Sequence, residues 1–270
     1  MRILIIGNGF LGSKLYTRLE DNDVYMASLH GKNCIQLDMF DADAVHTLYQ
    51  VIKPELTILT AAMTNVDECE QKPELARRIN SFSIINFIVA INFYGGKIIY
   101  ISTDNVFDGT KGNYIPEDKP NPINVYGRTK LEGERTIINY NIPYLILRTS
   151  VLYGWGNSRF FSWCYENLNE GREIKISKEY TVSPTLVDDL VNFIHSNLDF
   201  KENKILHVCG REAVTKYEFA IKIAKVFNFD QNLIKEATDF KQIALRPKNS
   251  SMITCSDMFK NVEDGLQYLR

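Results

Sequence analysis

The N-terminal stretch constrains the fold most, because a short apolar run leads directly into a glycine pattern. The run is Arg2-Ile-Leu-Ile-Ile6, and the pattern G-x-G-x-x-G follows at Gly7, Gly9 and Gly12, before an amphipathic helical segment. A continuously apolar run of this length is typical of a strand buried on both faces of a parallel sheet. Strand, glycine turn and helix in this order predict a dinucleotide site, where the backbone approaches a pyrophosphate at the helix N-terminus.

Strands and helices alternate along the first half of the chain. Further strands are predicted over 24–29, 34–37, 55–60, 97–101 and 144–147, and helices over 41–52, 74–93 and from 125 onward. This alternation predicts an α/β fold, a Rossmann-type doubly wound parallel sheet with right-handed crossovers. Ligands of such sheets bind beyond the carboxyl ends of the strands. Because Gly7, Ala61 and Thr103 all stand at such ends, we expect them to converge on one site.

The regular alternation ends near Gly154, after which aromatic residues are frequent and the elements are shorter. We predict a dinucleotide-binding domain over 1–154 and a smaller C-terminal lobe, mainly substrate-binding, over 155–270. A helix near 184–198 is expected to pack back on the first domain, and a further amphipathic helix is predicted over 215–227. Substrate would bind in the cleft between the two parts.

Composition and charge exclude several classes of function. The chain has 270 residues, 45% hydrophobic and 24% charged, with a net charge of −2, so neither nucleic acid nor a membrane surface is expected as a partner. Its five cysteines are dispersed without the spacing of a metal or redox motif, which predicts no metal site and a cytoplasmic location. The N-terminal apolar run is too short for a signal peptide or an anchor.

Residues 121–130, Asn-Pro-Ile-Asn-Val-Tyr-Gly-Arg-Thr-Lys, carry two candidate catalytic side chains. A helix through this stretch places Tyr126 and Lys130, four residues apart, on one helical face. A neighbouring ammonium is expected to lower the pKa of the phenol toward neutrality, so that tyrosine can give and take a proton. The same interval separates Tyr49 from Lys53, where no other chemistry stands nearby, so the spacing alone is also compatible with a structural pair.

The end of the second predicted strand bears on the choice of dinucleotide. NAD-specific sites usually place Asp or Glu there to bind the ribose hydroxyls, whereas this chain has Ser28, His30 and Lys32. This polar and partly basic set could accept a 2′-phosphate, so NADP(H) is slightly preferred over NAD(H). An exposed polar loop is the alternative interpretation.

A segment of the predicted C-terminal lobe, Arg246-Pro-Lys-Asn249-Ser250, combines a guanidinium, an ammonium and an amide. A guanidinium suits a pair of phosphate oxygens, so we predict that Arg246 binds a phosphate of the substrate. Two alternatives are a solvated charged loop and a packing role in which Arg246 pairs with an acidic neighbour such as Asp239.

With these motifs in view, the chain resembles the extended short-chain dehydrogenase/reductase superfamily over nearly its whole length. Within it, the dTDP-4-dehydrorhamnose reductase branch is most similar. The motifs that carry the resemblance are Ala61-Ala-Met-Thr-Asn-Val-Asp67-Glu-Cys-Glu70, Asn80, Ser102-Thr103-Asp104 with Val106-Phe107, Asn-x-Tyr-Gly-x-Thr-Lys-x-x-Gly-Glu around Tyr126 and Lys130, Arg148-Thr-Ser, Pro184-Thr185 and Arg246-Pro-x-Asn-Ser.

The resemblance implies an NAD(P)H-dependent reductase of the 4-keto group of a nucleoside-diphosphate 4-keto-6-deoxy sugar, in deoxysugar or polysaccharide precursor synthesis. A homodimer is its candidate assembly. Tyr126 would be the general acid, Lys130 would tune it and bind the ribose, and Thr103 would hydrogen-bond the substrate carbonyl. Asp38 would face the adenine, and Asn80 would help to order the site.

The predicted binding residues follow from the glycine pattern, the strand ends and the resemblance together. The predicted dinucleotide-binding residues are Gly7, Gly9, Phe10, Leu11, Gly12, Ser28, His30, Asp38, Met39, Ala61, Ala62, Thr64, Asn80 and Lys130. The predicted substrate-binding residues are Asp104, Asn105, Val151, Arg246 and Asn249.

Three departures from the family pattern bear on the ligands. Most extended members have one residue more before the second glycine, a change that alters the loop but leaves phosphate binding intact. Asn105 replaces a usual aromatic residue, and Val151 replaces a usual Trp after Arg-Thr-Ser. Both lie where that branch contacts its nucleotide sugar, so they bear on the identity of the substrate.

The chain also resembles the regulatory β subunit of methionine adenosyltransferase, around Val151-Leu-Tyr-Gly and Thr215-Lys-Tyr-Glu. That relative keeps the fold and much of the motif set. It implies a different class of function, a dinucleotide-binding partner protein without turnover. The presence of Thr103, Tyr126 and Lys130 favours the reductase.

Overall fold

The computed structural model describes residues 1–237 and 242–270, so Asp239 lies outside the described residues. The strands found in these ranges are β1 (Arg2–Ile6), β2 (Asp23–Ser28), β3 (Ile35–Gln36), β4 (Leu56–Leu59), β5 (Lys97–Thr103), β6 (Tyr144–Thr149), β7 (Leu152–Tyr153), β8 (Ile174–Ile176), β9 (Thr181–Val182), β10 (Thr185–Leu186), β11 (Lys204–His207), β12 (Val214–Thr215) and β13 (Ile234–Glu236). The α-helices are α1 (Phe10–Arg18), α2 (Ala42–Ile52), α3 (Val66–Gln71), α4 (Pro73–Arg77), α5 (Ile84–Tyr94), α6 (Val125–Asn139), α7 (Arg159–Asn169), α8 (Val187–Ser196), α9 (Lys216–Phe227) and α10 (Val262–Leu269). A π-helical turn (Arg78–Phe82) and 3₁₀ turns (Asp104–Val106 and Gln231–Leu233) are also present.

Seven of the described strands form one sheet in the order β11-β6-β5-β4-β1-β2-β3, and every pairing in it is parallel. The chain builds outward from β1 in one direction and from β4 in the other. This reversal leaves a crevice beyond the carboxyl ends of β1 and β4, where ligands of doubly wound sheets bind. The predicted Rossmann-type doubly wound sheet is confirmed.

The sheet is buried on both faces because successive residues of each strand contribute to two different apolar clusters. In β1, Ile3 and Ile5 belong to the cluster formed with α1 and α8, whereas Leu4 and Ile6 belong to the cluster formed with α2 and α5. Burial of one such side chain contributes roughly 1.5–3 kcal/mol. Two apolar faces require cover on both sides, which explains the continuously apolar composition of the strands.

The helix predicted over 74–93 is interrupted by the π-helical turn Arg78–Phe82. The turn holds Asn80, whose side chain is buried and binds the backbone of Met63 through both its oxygen (2.9 Å) and its nitrogen (3.1 Å). A π-helical turn inserts one residue into the helix, and such turns are frequent at functional sites. Periodicity alone did not reveal it, because the apolar pattern continues on both sides.

The C-terminal half contributes to the sheet as well as to a core of its own. β11 pairs with the outer edge of β6, and Leu190 and Ile194 of α8 pack in the same cluster as Leu15 of α1. A separate apolar cluster joins α7, α9 and α10 around residues such as Phe161 and Phe219. The division of the chain near residue 154 stays a prediction.

Membrane-spanning helices and metal-binding clusters are both absent from the described ranges. None of the helices in residues 1–237 and 242–270 combines the length and apolarity needed to cross a bilayer. In the same ranges, no three His, Cys, Asp or Glu side chains are grouped so that they could hold a metal ion.

His207, at the end of β11, is a buried histidine with one hydrogen-bond partner. Its Nδ1 lies 2.9 Å from the Tyr114 carbonyl oxygen, and a carbonyl can only accept, so Nδ1 carries the proton. Nε2 has no partner among the described residues. Burial lowers the pKa of His207 from 6.5 to about 4, and the charge of Arg148 adds to this effect. The imidazole is therefore neutral in the folded protein at pH 7.

We expect the free energy of unfolding to decrease as the pH is lowered from about 6.5 to 4. In this window the unfolded chain binds a proton that the folded protein excludes, so the free energy of unfolding decreases as the pH drops, by on the order of 2–3 kcal/mol. Urea unfolding across this pH range measures the loss. His207→Asn can still donate to the Tyr114 carbonyl and should flatten the profile, whereas exposed His30→Asn should retain the wild-type slope. An unchanged slope in His207→Asn would contradict the assignment.

Candidate functional site

A cleft of about 950 Å³ opens at the carboxyl ends of β1, β4 and β5. It is lined by these strand ends and the start of α1, together with the start of α7, β9 and residues Arg246, Pro247 and Ser250. Its volume lies at the upper end of the range for small-molecule sites. The strand ends that the sequence singled out therefore do converge on one cavity.

The glycine loop between β1 and α1 leaves the start of α1 open toward the cleft. Gly7 has a φ of +105°, which side chains rarely adopt, and a Cβ at Gly12 would clash with the Gly7 carbonyl oxygen. A Cβ at Gly9, by contrast, would meet no protein atom within 4 Å. Protein packing therefore does not require glycine at position 9, and the missing side chain leaves room for a ligand to approach the amides of α1.

The predicted dinucleotide residues divide into those that line the cleft and those that do not. The cleft is lined by Gly7, Gly9, Phe10, Leu11, Gly12, Ser28, Asp38, Met39, Ala61, Ala62, Thr64 and Lys130. His30 is exposed and does not line it, and Asn80 is buried behind Met63. Asn80 therefore acts by holding the backbone after β4, in keeping with the ordering role that the resemblance implies. The open amides and the lining of the strand ends fit a nicotinamide dinucleotide.

Asn8 connects the glycine loop to the end of β2, a role that the sequence did not predict. Its Oδ1 accepts a hydrogen bond from the Ser28 hydroxyl (3.0 Å), and its Nδ2 donates to the His30 carbonyl (2.5 Å). Ser28 thus lines the cleft with its hydroxyl already engaged. Lys32 lies at a neighbouring cavity of about 340 Å³ beside α1.

The start of α6 lies directly against the end of β5. Asn124 caps the helix, because its side chain accepts a hydrogen bond from the Gly127 amide (2.8 Å). A Cβ at Gly127 would clash with the Asn105 carbonyl oxygen, so only glycine allows this approach. Tyr126 and Lys130 consequently line the same cleft as Thr103, the last residue of β5.

Burial controls the titration of both catalytic candidates. It raises the pKa of Tyr126, and the neighbouring Thr103 hydroxyl opposes this only in part. It also lowers the pKa of Lys130 to about 7, an effect that Glu134 opposes. The Lys130 ammonium lies 3.9 Å from the centre of the Tyr100 ring.

The lowered tyrosine pKa predicted from the Tyr126–Lys130 spacing is not found. Desolvation is the largest effect on the Tyr126 pKa, and the Lys130 charge is not among the effects that act on it. A lysine with a pKa near 7 carries only part of its charge at neutral pH. Tyr126 therefore stays protonated near neutrality. This is the form in which a phenol can donate a proton.

Asp104 orients Thr103 through a set of hydroxyl and amide donors. Its Oδ1 accepts from the Thr103 hydroxyl (3.1 Å) and from the Asn105 side-chain amide (2.9 Å). Its Oδ2 accepts from the hydroxyls of Ser150 (2.7 Å) and Ser250 (2.8 Å). Asp104 was predicted to bind substrate, but its oxygens already bind protein donors. The two serines were missed as site residues, although they end the Arg-Thr-Ser and Arg-Pro-x-Asn-Ser motifs.

The other predicted substrate residues are not all in the cleft. Asn105 and Val151 line it, whereas Asn249 does not. The Asn249 side chain instead accepts a hydrogen bond from the Ser251 hydroxyl (2.7 Å) and lies against Gly112. Its part in substrate binding remains a prediction that this geometry does not support.

Arg246 lines the cleft but binds Asp67 with both terminal nitrogens, at 2.9 and 2.8 Å. Asp67 also accepts hydrogen bonds from the amides of Ile243 (3.3 Å) and Ala244 (3.0 Å). The bond from Arg246 is the main reason that the pKa of Asp67 is lowered. The ion pair connects residues 243–246 to the start of α3. This is the packing role given above as an alternative for Arg246, with Asp67 as the acidic partner.

Comparisons with known proteins show the family and the fold of the chain. The family model described as the RmlD substrate binding domain matches residues 1–263. Methionine adenosyltransferase 2 subunit beta of Rattus norvegicus is 31% identical over 281 residues, covering 95% of this chain and 81% of that protein. The probable low-salt glycan biosynthesis reductase Agl14 of Haloferax volcanii is 32% identical over 274 residues, covering 96% and 90%. The crystal structure of dTDP-4-dehydrorhamnose reductase from Bacillus anthracis in complex with NADP has a TM-score of 0.92 and 31% identity, covering 99% of this chain and 98% of that one.

We expect Arg246→Ala and Asp67→Asn each to lower Tm, and the double variant to lower it by less than the sum. The pair is partly exposed, with 20% and 34% of the two side chains accessible, so a coupling of about 1 kcal/mol is expected from the double-mutant cycle. A cycle on the more exposed pair Lys225–Glu263 is the control and should give a coupling near zero. A KM for the substrate that rises roughly 10- to 100-fold in Arg246→Ala, with Tm unchanged, would instead support the predicted phosphate contact.

Proposed function

The chain belongs to the extended short-chain dehydrogenase/reductase superfamily, in the branch similar to dTDP-4-dehydrorhamnose reductase, and we propose that it is an NAD(P)H-dependent reductase. Its substrate would be the 4-keto group of a nucleoside-diphosphate 4-keto-6-deoxy sugar, in deoxysugar or polysaccharide precursor synthesis. The observation that carries the proposal is that Thr103, Tyr126 and Lys130 line the same cleft as the open glycine loop. The reductases from Bacillus anthracis and Haloferax volcanii, similar over nearly the whole chain, support it.

A bound nicotinamide dinucleotide would supply the hydride that the carbonyl carbon accepts. Tyr126, kept protonated by burial, would donate its proton to the carbonyl oxygen as negative charge develops there. The Thr103 hydroxyl would turn from Asp104 to the same oxygen and donate a second hydrogen bond. Asp104 Oδ1 would then keep its hydrogen bond from the Asn105 side-chain amide.

Lys130 would bind the ribose next to the nicotinamide and contribute its charge there. The amides at the start of α1 would bind the pyrophosphate, and Asp38 and Met39 would lie against the adenine. No carboxylate stands at the end of β2 to favour the ribose hydroxyls, and Lys32 lies nearby. These features support NADP(H) as the slightly preferred dinucleotide.

A second candidate is a regulatory subunit that binds dinucleotide without turnover. The similarity to methionine adenosyltransferase 2 subunit beta supports it, because that relative is as similar to this chain as the reductases are. The two candidates share the dinucleotide site. They differ in whether bound NAD(P)H is oxidised when a sugar substrate is added.

We expect purified protein to oxidise NADPH when dTDP-4-keto-6-deoxyglucose is present, in a reaction tested with and without a sugar epimerase. Absorbance at the nicotinamide band follows the reaction. Titrations in one buffer should show NADPH bound at least as well as NADH. Dinucleotide that binds but stays unoxidised would favour the regulatory subunit. A clear preference for NADH would mean that Ser28, His30 and Lys32 hold no phosphate.

Tyr126→Phe should lower turnover by about 10² or more, the usual effect of removing a positioned proton donor, with little change in dinucleotide affinity. Tyr49→Phe should leave turnover intact but cost stability, because the Tyr49 hydroxyl is buried and hydrogen-bonded to Thr57 (2.5 Å). Tyr140→Phe is the better control, since Tyr140 follows the same helix as Tyr126 and is 46% exposed. Wild-type turnover in Tyr126→Phe would exclude Tyr126 as the acid.

A further inference from the structure

Lys216 lines the lobe side of the cleft at a position unfavourable for a cation. It is the first residue of α9 and directly follows the capping residue Thr215. The N-terminus of a helix carries partial positive charge, so an ammonium there opposes the helix dipole. The acidic residue of the first turn, Glu218, binds the amide (2.7 Å) and hydroxyl (2.9 Å) of Thr215. The charge of this lysine therefore does not stabilise the helix.

No carboxylate within the described ranges forms an ion pair with Lys216. Its ammonium lies 5.9 Å from the centre of the Phe160 ring. The anionic groups that act on it electrostatically are Asp104 and Asp67. Asp104 is already bound by four protein donors, and Asp67 by Arg246. Burial lowers the pKa of Lys216, and the charge of Arg246 lowers it further.

Arg159 is a second cation of the cleft, at the first position of α7. The preceding residue, Ser158, does not cap this helix, because its hydroxyl donates to the Leu152 carbonyl (3.2 Å). The first amides of α7 therefore have no side-chain acceptor from the capping position. Arg159 forms no ion pair with the residues that the structure describes. Two cations and a helix start thus face the same cavity.

We propose that Lys216 and Arg159, together with the first amides of α7, bind the diphosphate group of the substrate. This inference rests on the proposed function and deepens it, because it names the residues that hold the nucleoside diphosphate. An anion here would neutralise the repulsion between Lys216 and Arg246 while Arg246 keeps its bond to Asp67. A bound dinucleotide would bring a second diphosphate into the cleft, for which the glycine loop and the start of α1 are the expected site.

The proposal is tested by calorimetric titration of wild type and variants with dTDP, UDP, thymidine and NADPH. We expect Lys216→Gln to weaken dTDP and UDP binding by about 10-fold or more and Arg159→Gln by roughly 3-fold or more, the range for hydrogen bonds to charged groups. Lys216→Arg should retain most of the affinity. Thymidine, which lacks phosphate, and NADPH should bind all variants within about 2-fold of wild type. Tm of Lys216→Gln should not fall, since glutamine keeps most of the packed stem and removes a charge that opposes the dipole of α9.

Lys225→Gln is the matched control, because Lys225 lies on the same helix, away from the cleft, and should leave every affinity unchanged. Wild-type dTDP affinity in Lys216→Gln would overturn the proposal, as would a parallel loss of NADPH affinity, which would place the cations at the dinucleotide. Failure of this site and failure of the reductase are distinguishable. If wild type oxidises NADPH with the sugar substrate but Lys216→Gln does not change dTDP binding, only the proposed diphosphate site is rejected. If Lys216→Gln weakens dTDP binding but wild type does not oxidise NADPH, only the reductase is rejected.

Discussion

The buried ion pair between Glu134 and Arg148 fixes the elements that carry the site. Only 1% and 3% of the two side chains are exposed, and two bonds of 3.0 and 2.7 Å join them. The Ser102 hydroxyl donates to the same carboxylate, so α6, β5 and β6 are joined at one point. Lys130 lies one helical turn before Glu134, and Thr103 directly follows Ser102. Removing one partner would leave a buried charge unpaired, a change that costs about 3–5 kcal/mol.

A second set of polar contacts continues from this pair toward the cleft. Asp104 joins the ends of β5 and β6 to residue 250 through hydroxyl donors, and the ion pair between Asp67 and Arg246 joins the start of α3 to residues 243–246. The catalytic candidates Thr103, Tyr126 and Lys130 thus stand on the sheet and α6. Residues 243–246 depend instead on the partly exposed pair between Asp67 and Arg246, a kind of contact that is weaker than a buried one.

Low polarity in the cleft determines the charge states of its side chains. Burial disfavours the charged form of every titratable group, so it raises the pKa of Tyr126 and lowers the pKa of Lys130 and of Lys216. A protonated phenol suits reduction, in which an acid is needed. Lysines whose charge is poorly compensated suit anionic ligands, because a bound phosphate replaces the water that burial removes.

Local patterns in the sequence determined the sheet, the glycine loop and the shared helical face of Tyr126 and Lys130, because strand alternation and helical spacing are properties of neighbouring residues. The confirmed parallel sheet and the strand ends around the cleft follow from these patterns. Tertiary structure alone decided the partners of residues distant in the chain: Arg246 binds Asp67, 179 residues away, and β11 adds an unpredicted strand to the sheet. It also decided the pKa of Tyr126, because desolvation depends on everything packed around the phenol, which spacing along the chain does not encode.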